Sequence, residues 1–544
     1  MNVPADHLDH RVRGGWTPAG AAAAHLPAHA SRWLSARTGL TPTRTPVAPD
    51  SAMRVAESEL PAEVRAVLNA IVGAEHVLVE RVDRLARAGG LSYVDLMRRR
   101  GAGELPVPDA VVLPADAVEV ERVVALCAEH NVGIVPFGGG TSVVGGVAAL
   151  RGDRGAVIAL DLNRLHRLLS VDPVSRLATF EAGVVAPEAE RLLAARGFTL
   201  GHFPQSYERA TLGGFAATRS SGQASAGYGR FEDMVESLRV ATPRGDWRVG
   251  VAPASAAGPD LRQLVLGSEG AFGVITEVTV RVRPIPAWTR YEGFIVDGFA
   301  QGAEIVRALA QSGTLGAVTR LSDPQETEVA LALSGGWKMA ALRAYLRVRG
   351  IAEPALLIVG WEAGSRRDLR ARRRESLRHL GGTVRLGTAA GETWRHGRFA
   401  GPRQRDALLD AGMCVETLET AAYWSRLGEL RDTVTSALRD SLTTAERRPV
   451  VACHISHSYE TGASLYFTTL VPRAADDPIG QWQQAKEAAC AAIAGLGTIT
   501  HHHAIGVDHA PYLAAEIGEL GVGVLRAVRA NLDPNGVLNP GKLT

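Results

Sequence analysis

The sequence predicts an α+β protein with more than one domain, and three observations lead to this prediction. The chain has 544 residues, more than one hydrophobic core usually organises. Its 46% hydrophobic and 21% charged residues are typical of a soluble globular protein. Strand and helix patterns surround a dense glycine loop in the first half, and beyond Pro286 strands and helices alternate.

Residues 1–105 are predicted to form an N-terminal extension that is partly helical. Residues 41–46, with the sequence TPTRTP, resemble an extended linker. Apolar residues recur at helical spacing over 59–72, and a second short helix is predicted over 92–100. The alanine run at 21–24 is too short for the apolar region of a signal peptide.

Residues 106–285 are predicted to form the first domain. A strand at 110–113, a helix at 116–130 and a strand at 134–135 make a β-α-β unit, so we expect these two strands to be neighbours. Further predicted elements are strands at 156–161, 167–171, 178–182 and 234–242 and a helix at 187–196. Residues 274–283 alternate apolar and polar side chains, which indicates a half-buried strand.

Residues 286–500 are predicted to form a second domain, and residues 501–544 a C-terminal segment. The predicted strands lie at 291–296, 317–321, 355–361, 383–386, 414–418, 450–456 and 463–470. The predicted helices lie at 300–310, 325–333, 366–380 and 424–442. This order predicts an α+β domain with a single antiparallel sheet and its helices on one face.

Composition excludes several classes of function. A net charge of +2 provides no electrostatic footprint for nucleic acid. The four cysteines lie far apart without a C-x-x-C pair, which argues against disulfides or a cysteine metal site and favours the reducing cytoplasm. No stretch is long enough to span a bilayer, so a lipid substrate would require a surface groove or peripheral membrane contact.

A glycine loop at residues 133–146, GIVPFGGGTSVVGG, is the first motif that carries chemistry. Glycines let the backbone turn sharply and bring N–H groups close to an anion, for which a diphosphate is the natural guest. The loop lacks the lysine of a P-loop and the pattern of a dinucleotide-binding helix. A tight turn between strands is the alternative interpretation.

Two further motifs accompany this loop: GHFPQSYERATLGGFAATRSSG at 201–222 and GSEGAFGVITE at 267–277. Together, the three motifs resemble the FAD domain of the vanillyl-alcohol-oxidase (PCMH-type) flavoprotein superfamily. Within that superfamily, the chain from about residue 60 onward is most similar to the alkylglycerone-phosphate synthase family. The resemblance implies a PCMH-type FAD-binding domain at 106–285, a cap domain at 286–500, and a C-terminal segment that returns to the flavin.

The resemblance also implies the cofactor and its binding residues. The glycine loop lacks the histidine to which relatives often bond FAD covalently, so we expect non-covalent FAD. A homodimer is expected from the resemblance alone. The residues implied to bind FAD are Pro136, Phe137, Gly138, Gly139, Gly140, Thr141, Ser142, Gln205, Ser206, Thr211, Gly213, Gly214, Thr218, Arg219, Ser220, Ser221, Glu269, Gly270, Gly273, Val274 and Ile275.

Three consecutive histidines, His501, His502 and His503, form the most unusual cluster. In an extended segment only the first and third would share a side. A metal site would need further ligands, such as Asp508 and His509, and lacks the usual zinc spacing, so we predict none. A solvated polar turn is a second interpretation. The resemblance favours a third, in which the triplet faces the flavin and the head group of the substrate.

Tyr459 is the catalytic acid–base residue that the resemblance implies. Without it, a tyrosine beside a turn glycine is more simply a packed side chain with a bonded hydroxyl. A free phenol has a pKa near 10, so a tyrosine base needs cationic neighbours, which His501 to His503 and Arg405 could supply. Arg405 and Arg320 match substrate-binding arginines of the family, where a guanidinium suits a phosphate or carboxylate. A solvated arginine is the alternative interpretation of Arg405.

The chain departs from the family pattern at a few positions. Phe215 replaces a common tryptophan, and Ala271 and Phe272 replace Thr-Leu, which we expect to be packing changes. Val507 stands where some synthases carry a lysine near the head group, so the match to a phosphate-bearing substrate is weaker there.

The resemblance implies an FAD-dependent exchange of acyl for alkyl on acyl-dihydroxyacetone phosphate, mediated by the flavin N5 and leading to ether lipids. An FAD-linked oxidase or dehydrogenase of a 2-hydroxy acid, such as D-lactate or glycolate, is the alternative on the same fold. In that case His502 or His503 would accept the hydroxyl proton. A histidine-rich metal-binding or sensing protein is the third hypothesis.

Overall fold

The computed structural model describes residues 10, 14–17, 26–41, 47–334 and 336–543. The alanine run and residues 42–46 of the predicted linker lie outside this set. The extension contains α1 (Ala28–Thr38), α2 (Ala62–Val72), β1 (Val77–Leu78), α3 (Arg81–Ala86) and α4 (Tyr93–Arg99). The helices predicted at 59–72 and 92–100 are therefore confirmed, and Ser92 caps the second by accepting the N–H of Asp95.

The first domain contains two larger sheets and one two-stranded sheet, connected by short helices. Its elements are β2 (Ala110–Val112), α5 (Ala117–Glu129), β3 (Val132–Phe137), β4 (Ala156–Asp161), β5 (Leu168–Asp172), β6 (Leu177–Glu181), α6 (Ala186–Ala194), β7 (Phe198–Thr199), α7 (Leu212–Thr218), α8 (Ser225–Tyr228), α9 (Phe231–Met234), β8 (Val235–Thr242), β9 (Gly245–Val249), α10 (Arg262–Val265), β10 (Val274–Arg281) and β11 (Arg283–Pro284). One of the larger sheets has the order β1-β2-β4-β3 and the other is antiparallel with the order β5-β6-β10-β8-β9.

One strand pairing differs from the prediction. β2 and β3 are not neighbours, because β4 lies between them and pairs in parallel with both. Every residue of β4 is buried, so this strand requires a partner on each side. The outer edge of β3 is covered by the C-terminal segment, where the N–H of Ile134 donates to the carbonyl of Val537.

The second domain is built on one antiparallel sheet, as predicted. Its elements are β12 (Trp288–Asp297), α11 (Phe299–Gln311), β13 (Val318–Ser322), α12 (Pro324–Ser334), α13 (Gly336–Val348), β14 (Pro354–Ala363), α14 (Arg366–Leu377), β15 (Val384–Gly387), α15 (Thr388–Gly397), α16 (Gly401–Asp410), β16 (Met413–Tyr423), α17 (Trp424–Leu442), β17 (Val450–Ser458), β18 (Gly462–Pro472) and α18 (Pro478–Ile493), followed by α19 (Leu513–Leu532). The seven strands lie in the order β15-β12-β14-β13-β17-β18-β16.

The helices of this domain are not confined to one face of the sheet. Phe294 and Leu357 pack with α11, α14 and α17 on one face. On the opposite face Ile295 packs against Leu346 of α13, and Gly293 lies against Ala390 of α15. Part of that opposite face also meets the first domain, since Tyr291 and Ile358 belong to its core. The α+β class is confirmed, and the division into four segments stays a prediction.

Candidate active site

The loop after β3 is packed so closely that glycine is required at several positions. A Cβ atom on Gly139 would lie 2.0 Å from the carbonyl oxygen of Arg209, and one on Gly138 would lie 2.4 Å from Thr211 Oγ1. Gly140 adopts a φ of 61°, in the left-handed region that favours glycine. The loop therefore presents backbone rather than side chains, as a diphosphate-binding turn does.

The three glycine-rich motifs form one surface, which we call the cradle (residues 136–146, 205–222 and 267–275). A Cβ on Gly270 would lie 2.7 Å from Pro136, which places the third motif against the first. Arg219, at the left-handed end of α7, donates to the carbonyls of Gln263 (2.9 Å) and Leu266 (3.0 Å), just before the third motif. The N–H of Gly267 donates to the carbonyl of Ala216 (3.0 Å), which ties the third motif to the second. Thr211 caps α7 by accepting the N–H of Gly214.

Buried polar atoms in and beside the cradle suit a polar cofactor. Within the described part of the chain, Ser221 Oγ, Ser268 Oγ and Asn539 Oδ1 are buried without a hydrogen-bond partner. Such groups are normally satisfied, so a ligand with hydrogen-bonding groups fits here. Two of the residues predicted to bind FAD have side chains that are engaged elsewhere. Gln205 is exposed and donates to the carbonyl of Arg398, and Ile275 is buried within β10.

The C-terminal segment closes over the cradle. Glu269 accepts the N–H groups of Ile505 (3.1 Å) and Gly506 (2.8 Å), and Asn539 donates to the carbonyls of Gly146 and Glu269. Burial raises the pKa of Glu269 to about 7, although these N–H groups and Lys542 oppose the shift. The histidine triplet is thereby held next to the cradle.

The histidine triplet curls around a buried carboxylate that the sequence analysis missed. Glu419 of β16 accepts the backbone N–H groups of His501 (2.6 Å), His502 (2.9 Å) and His503 (2.8 Å). Burial by itself would raise the pKa of Glu419. The three histidine residues around its carboxylate, with the backbone N–H groups that they donate, hold that pKa well below the ordinary value. The segment is therefore not extended, and the expected alternation of sides is wrong.

Ring contacts connect the triplet to Tyr459. Tyr459 Oη lies 2.6 Å from His501 Nε2, and His501 Nδ1 lies 3.0 Å from His502 Nδ1. The rings of His502 and His503 follow with centroids 4.8 Å apart. The predicted catalytic tyrosine and histidines thus form one continuous chain of polar rings. The ring of His457, which was not predicted, lies beside it with its centroid 5.1 Å from that of His501. We call these five residues the histidine cluster (Tyr459, His457 and His501 to His503).

The charges of this cluster differ from the prediction. Burial lowers the pKa of His501 well below 6.5, that of His502 to about 3 and that of His503 to about 4, so these rings are neutral at pH 7. Burial raises the pKa of Tyr459, and the guanidinium that counteracts this shift belongs to Arg230. The expectation that the triplet and Arg405 supply the cations is wrong.

The two predicted substrate arginines approach the cluster but are already paired. Arg405 forms an ion pair with Glu416 (2.8 Å) and donates to the carbonyl of Leu91 (2.9 Å). Arg320 pairs with Glu326 (2.9 Å) and contacts His454 at 3.0 Å. Their charges are thus held in place by buried or half-buried carboxylates before any substrate arrives.

A row of side chains across the sheet explains how these parts meet. His454 of β17 is paired with Ser322 of β13 on one side and with Tyr466 of β18 on the other, and Tyr466 is paired with Glu419 of β16. Directly paired residues share a face, so this row faces the triplet. Tyr466 stacks on His454 at 4.9 Å and on His502 at 6.1 Å. Sequence signals for it existed, because buried polar residues interrupt apolar strands.

The structure assembles a different set of candidate metal ligands from the one considered above. Asp508 pairs with Lys486 (2.8 Å), and His509 donates from Nδ1 to the carbonyl of Ala504 (2.7 Å). Among the described residues, His457, His501 and His502 bring ligand atoms within 4.8 Å of one another. Both ring nitrogens of His501 already contact Tyr459 and His502.

Comparisons with known proteins agree with this geometry. Residues 108–250 match the family described as FAD binding domain, and residues 285–543 match FAD linked oxidases, C-terminal domain. Alkyldihydroxyacetonephosphate synthase of Trypanosoma brucei brucei is 32% identical, covering 88% of this chain and 79% of that protein. The synthase of Dictyostelium discoideum is 32% identical, covering 85% and 78%.

The chain belongs to the alkyldihydroxyacetonephosphate synthase family. A solved alkyldihydroxyacetonephosphate synthase structure superposes with a TM-score of 0.80 at 28% identity, covering 94% of this chain and 92% of that one. The predicted PCMH-type FAD-binding fold is confirmed, and FAD is the cofactor. In this family member the cradle fits the cofactor by its exposed backbone and its unpaired buried hydroxyls.

Proposed function

We propose that the protein is an FAD-dependent alkyldihydroxyacetonephosphate synthase. In this reaction an acyl-dihydroxyacetone phosphate and a fatty alcohol give the alkyl ether and release the fatty acid. The names of the relatives support the substrate class. The observation that carries the proposal is the 2.6 Å contact of Tyr459 with His501, which joins an acid–base residue to a proton acceptor beside the cradle.

FAD, when bound, supplies the reactive centre at which acyl is exchanged for alkyl. Tyr459 takes a proton from C1 of the substrate and passes its own hydroxyl proton to His501 Nε2. Because both groups are neutral at rest, this transfer avoids a free phenolate in the ground state. His501 can hand its Nδ1 proton to His502 Nδ1 at 3.0 Å, so the charge does not stay on one buried ring.

Arg405 and Arg320 orient the phosphate in this proposal. Each is held by a carboxylate, which keeps the guanidinium in place and leaves the neighbouring donors to the ligand. Val507 offers no cation at the position of the family's lysine. Lys486 of α18 lies close enough to His503 for its charge to contribute to the lowered pKa of that ring, and it is paired with Asp508 (2.8 Å).

The test uses purified FAD-loaded protein with an acyl-dihydroxyacetone phosphate and a long-chain alcohol, with the alkyl product measured by mass spectrometry. Tyr459→Phe should keep the bound flavin and lose at least about 10²-fold in turnover. Turnover that survives in this variant would remove Tyr459 from the acid–base role. Anaerobic bleaching of the flavin by D-lactate or glycolate, without ether formation, would support the 2-hydroxy-acid alternative instead.

We also propose a cytoplasmic homodimer that touches membranes peripherally. All four cysteines are free and buried, which suits a reducing compartment. On α19 the side chains of Leu520 and Val524 are 84% and 53% exposed, which suits an apolar contact. No helix among the described residues is both long and apolar enough to cross a bilayer. Light scattering tests the dimer, and co-sedimentation with phospholipid vesicles tests the contact.

A further inference from the structure

Four residues of the N-terminal extension, which we call the clasp (residues 14–17), lie against helix α16. Asp406, buried on this helix, accepts the N–H groups of Trp16 and Thr17 (both 2.7 Å) and the hydroxyl of Thr17 (2.9 Å). A Cβ atom on Gly15 would lie 2.5 Å from Asp406 Oδ1, so the backbone of the clasp approaches the carboxylate closely. One carboxylate of the second domain therefore holds the clasp by three hydrogen bonds.

The indole of Trp16 connects the clasp to the cradle. Its Nε1 donates to Glu208 of the second cradle motif (3.2 Å), and Glu208 also pairs with Arg403 of α16 (2.6 Å). Arg403 and Asp406 are three residues apart, so their side chains lie on the same face of the helix. The clasp thus contacts this face of α16 and the cradle together.

Arg405, the residue before Asp406 on α16, links the helix to the glycine loop. Its Nη1 donates to the carbonyl of Leu91 (2.9 Å), and the N–H of Leu91 donates to the carbonyl of Ser142 (2.7 Å). Its Nη2 pairs with Glu416 of β16 (2.8 Å). Successive side chains on a helix point about 100° apart, so a rotation of α16 that moves Asp406 also moves this guanidinium. Fixing the helix through Asp406 therefore fixes the direction of Arg405.

We propose that Asp406 is a positioning residue for the phosphate of the substrate: by binding the clasp, it keeps α16 and the guanidinium of Arg405 in place. The assignment rests on the proposed function in its use of Arg405 to orient the phosphate. It gives residues 14–17 of the N-terminal extension a role in substrate binding.

The first experiment measures binding of dihydroxyacetone phosphate to the FAD-loaded protein by calorimetry. Asp406→Asn should weaken this binding about tenfold and Thr17→Val about threefold, whereas Thr17→Ser, which keeps the hydroxyl, should bind like the wild type. Asp440→Asn, at an exposed position on α17, is the matched control and should change nothing. The flavin content should be the same in all variants. Unchanged affinity in Asp406→Asn overturns the proposal.

A double-mutant cycle shows whether Asp406 acts through Arg405. In an Arg405→Gln background the contact with the phosphate is already lost, so adding Asp406→Asn should weaken binding no further. Equal weakening with and without Arg405 would reveal a general loss of structure and counts against the assignment. In turnover, Asp406→Asn should raise KM for the acyl-dihydroxyacetone phosphate and leave kcat unchanged.

Amide hydrogen exchange separates this assignment from the reaction itself. Asp406→Asn and Thr17→Val should speed exchange across α16 in the FAD-loaded protein without substrate, because the helix loses bonds that hold it. If the wild type forms no ether and binds no dihydroxyacetone phosphate while exchange still responds, the synthase proposal fails and the hold of Asp406 on α16 stands. Unchanged exchange in Asp406→Asn overturns the assignment whichever reaction the protein catalyses.

Discussion

The cradle and the histidine cluster are built by opposite means. In the cradle, glycines let backbone approach backbone, and the motifs contact one another at distances that exclude a Cβ atom. In the histidine cluster, a buried carboxylate collects three backbone N–H groups and the side chains bond to each other. The cradle leaves polar atoms for a ligand, whereas the cluster satisfies its own. Steric fit therefore governs the first region and buried charge governs the second.

The largest effect is expected from a methyl group in the cradle. Gly139→Ala places a Cβ 2.0 Å from the carbonyl oxygen of Arg209, and two backbone segments must then separate. We expect a loss of at least about 3 kcal/mol in the free energy of unfolding, and protein that purifies without flavin. Thermal unfolding and flavin absorbance measure both.

Gly155→Ala is the matched control, because no atom lies within 4 Å of the added Cβ. It should keep the stability and flavin content of the wild type. Equal behaviour of the two variants would show that the cradle does not depend on close backbone contact.

Glu419→Gln tests the opposite principle in the cluster. An amide retains one acceptor oxygen but turns N–H groups toward the donors of the triplet, so we expect a loss of about 2 to 3 kcal/mol. The flavin should remain bound, since Glu419 lies outside the cradle, while turnover falls with the displaced histidines. Glu429→Gln, at an exposed ion pair with Arg426, should change neither property.

This contrast also explains how much could be predicted from the sequence. The cradle could be predicted because the residues that form each of its turns are close together in the sequence. Left-handed or crowded positions there require glycine, as at Gly140, and the glycines are visible as a motif. The segment at 501–503 was recognised as unusual, but its conformation depends on Glu419, more than eighty residues earlier in the chain. Arg230 and Tyr466 resemble ordinary surface or strand residues until the fold brings them to the cluster.

The prediction that β2 and β3 are neighbours was wrong for a related reason. A β-α-β pattern predicts neighbouring strands, but it cannot show that the later β4 inserts between them. The polar residues of β13, β17, β18 and β16 were visible as interruptions of apolar strands, but their alignment into one row was not, because register between distant strands is set by tertiary pairing.

Acid should weaken the cluster before the cradle. The pKa of His503 is lowered by burial from 6.5 to about 4, so the unfolded chain binds its proton first as the pH falls. The stability that His503 contributes is present above pH 6.5 and is lost as the pH falls toward 4, by about 2 kcal/mol at about pH 5. Denaturant unfolding at a series of pH values measures this loss.

His503→Asn should show a smaller decrease in stability over the same pH range than the wild type. His130→Asn, at an exposed position after α5, should follow the wild type. Identical pH dependence in the His503 variant and the wild type would contradict the assignment of a neutral buried ring.

The smallest effect is expected from removing single hydroxyl groups, and it distinguishes a hydroxyl that binds the ligand from one that stabilises the fold. Ser221 Oγ has no partner among the described residues, so Ser221→Ala should leave flavin-free protein as stable as the wild type and weaken FAD binding by about 1 kcal/mol, roughly fivefold in Kd. Ser464 Oγ accepts the N–H of His457 at 3.1 Å, so Ser464→Ala should destabilise the flavin-free protein by a similar amount. If Ser221→Ala destabilises the flavin-free protein while its FAD affinity is unchanged, the hydroxyl serves the fold, and the distinction between the two regions does not extend to single hydroxyl groups.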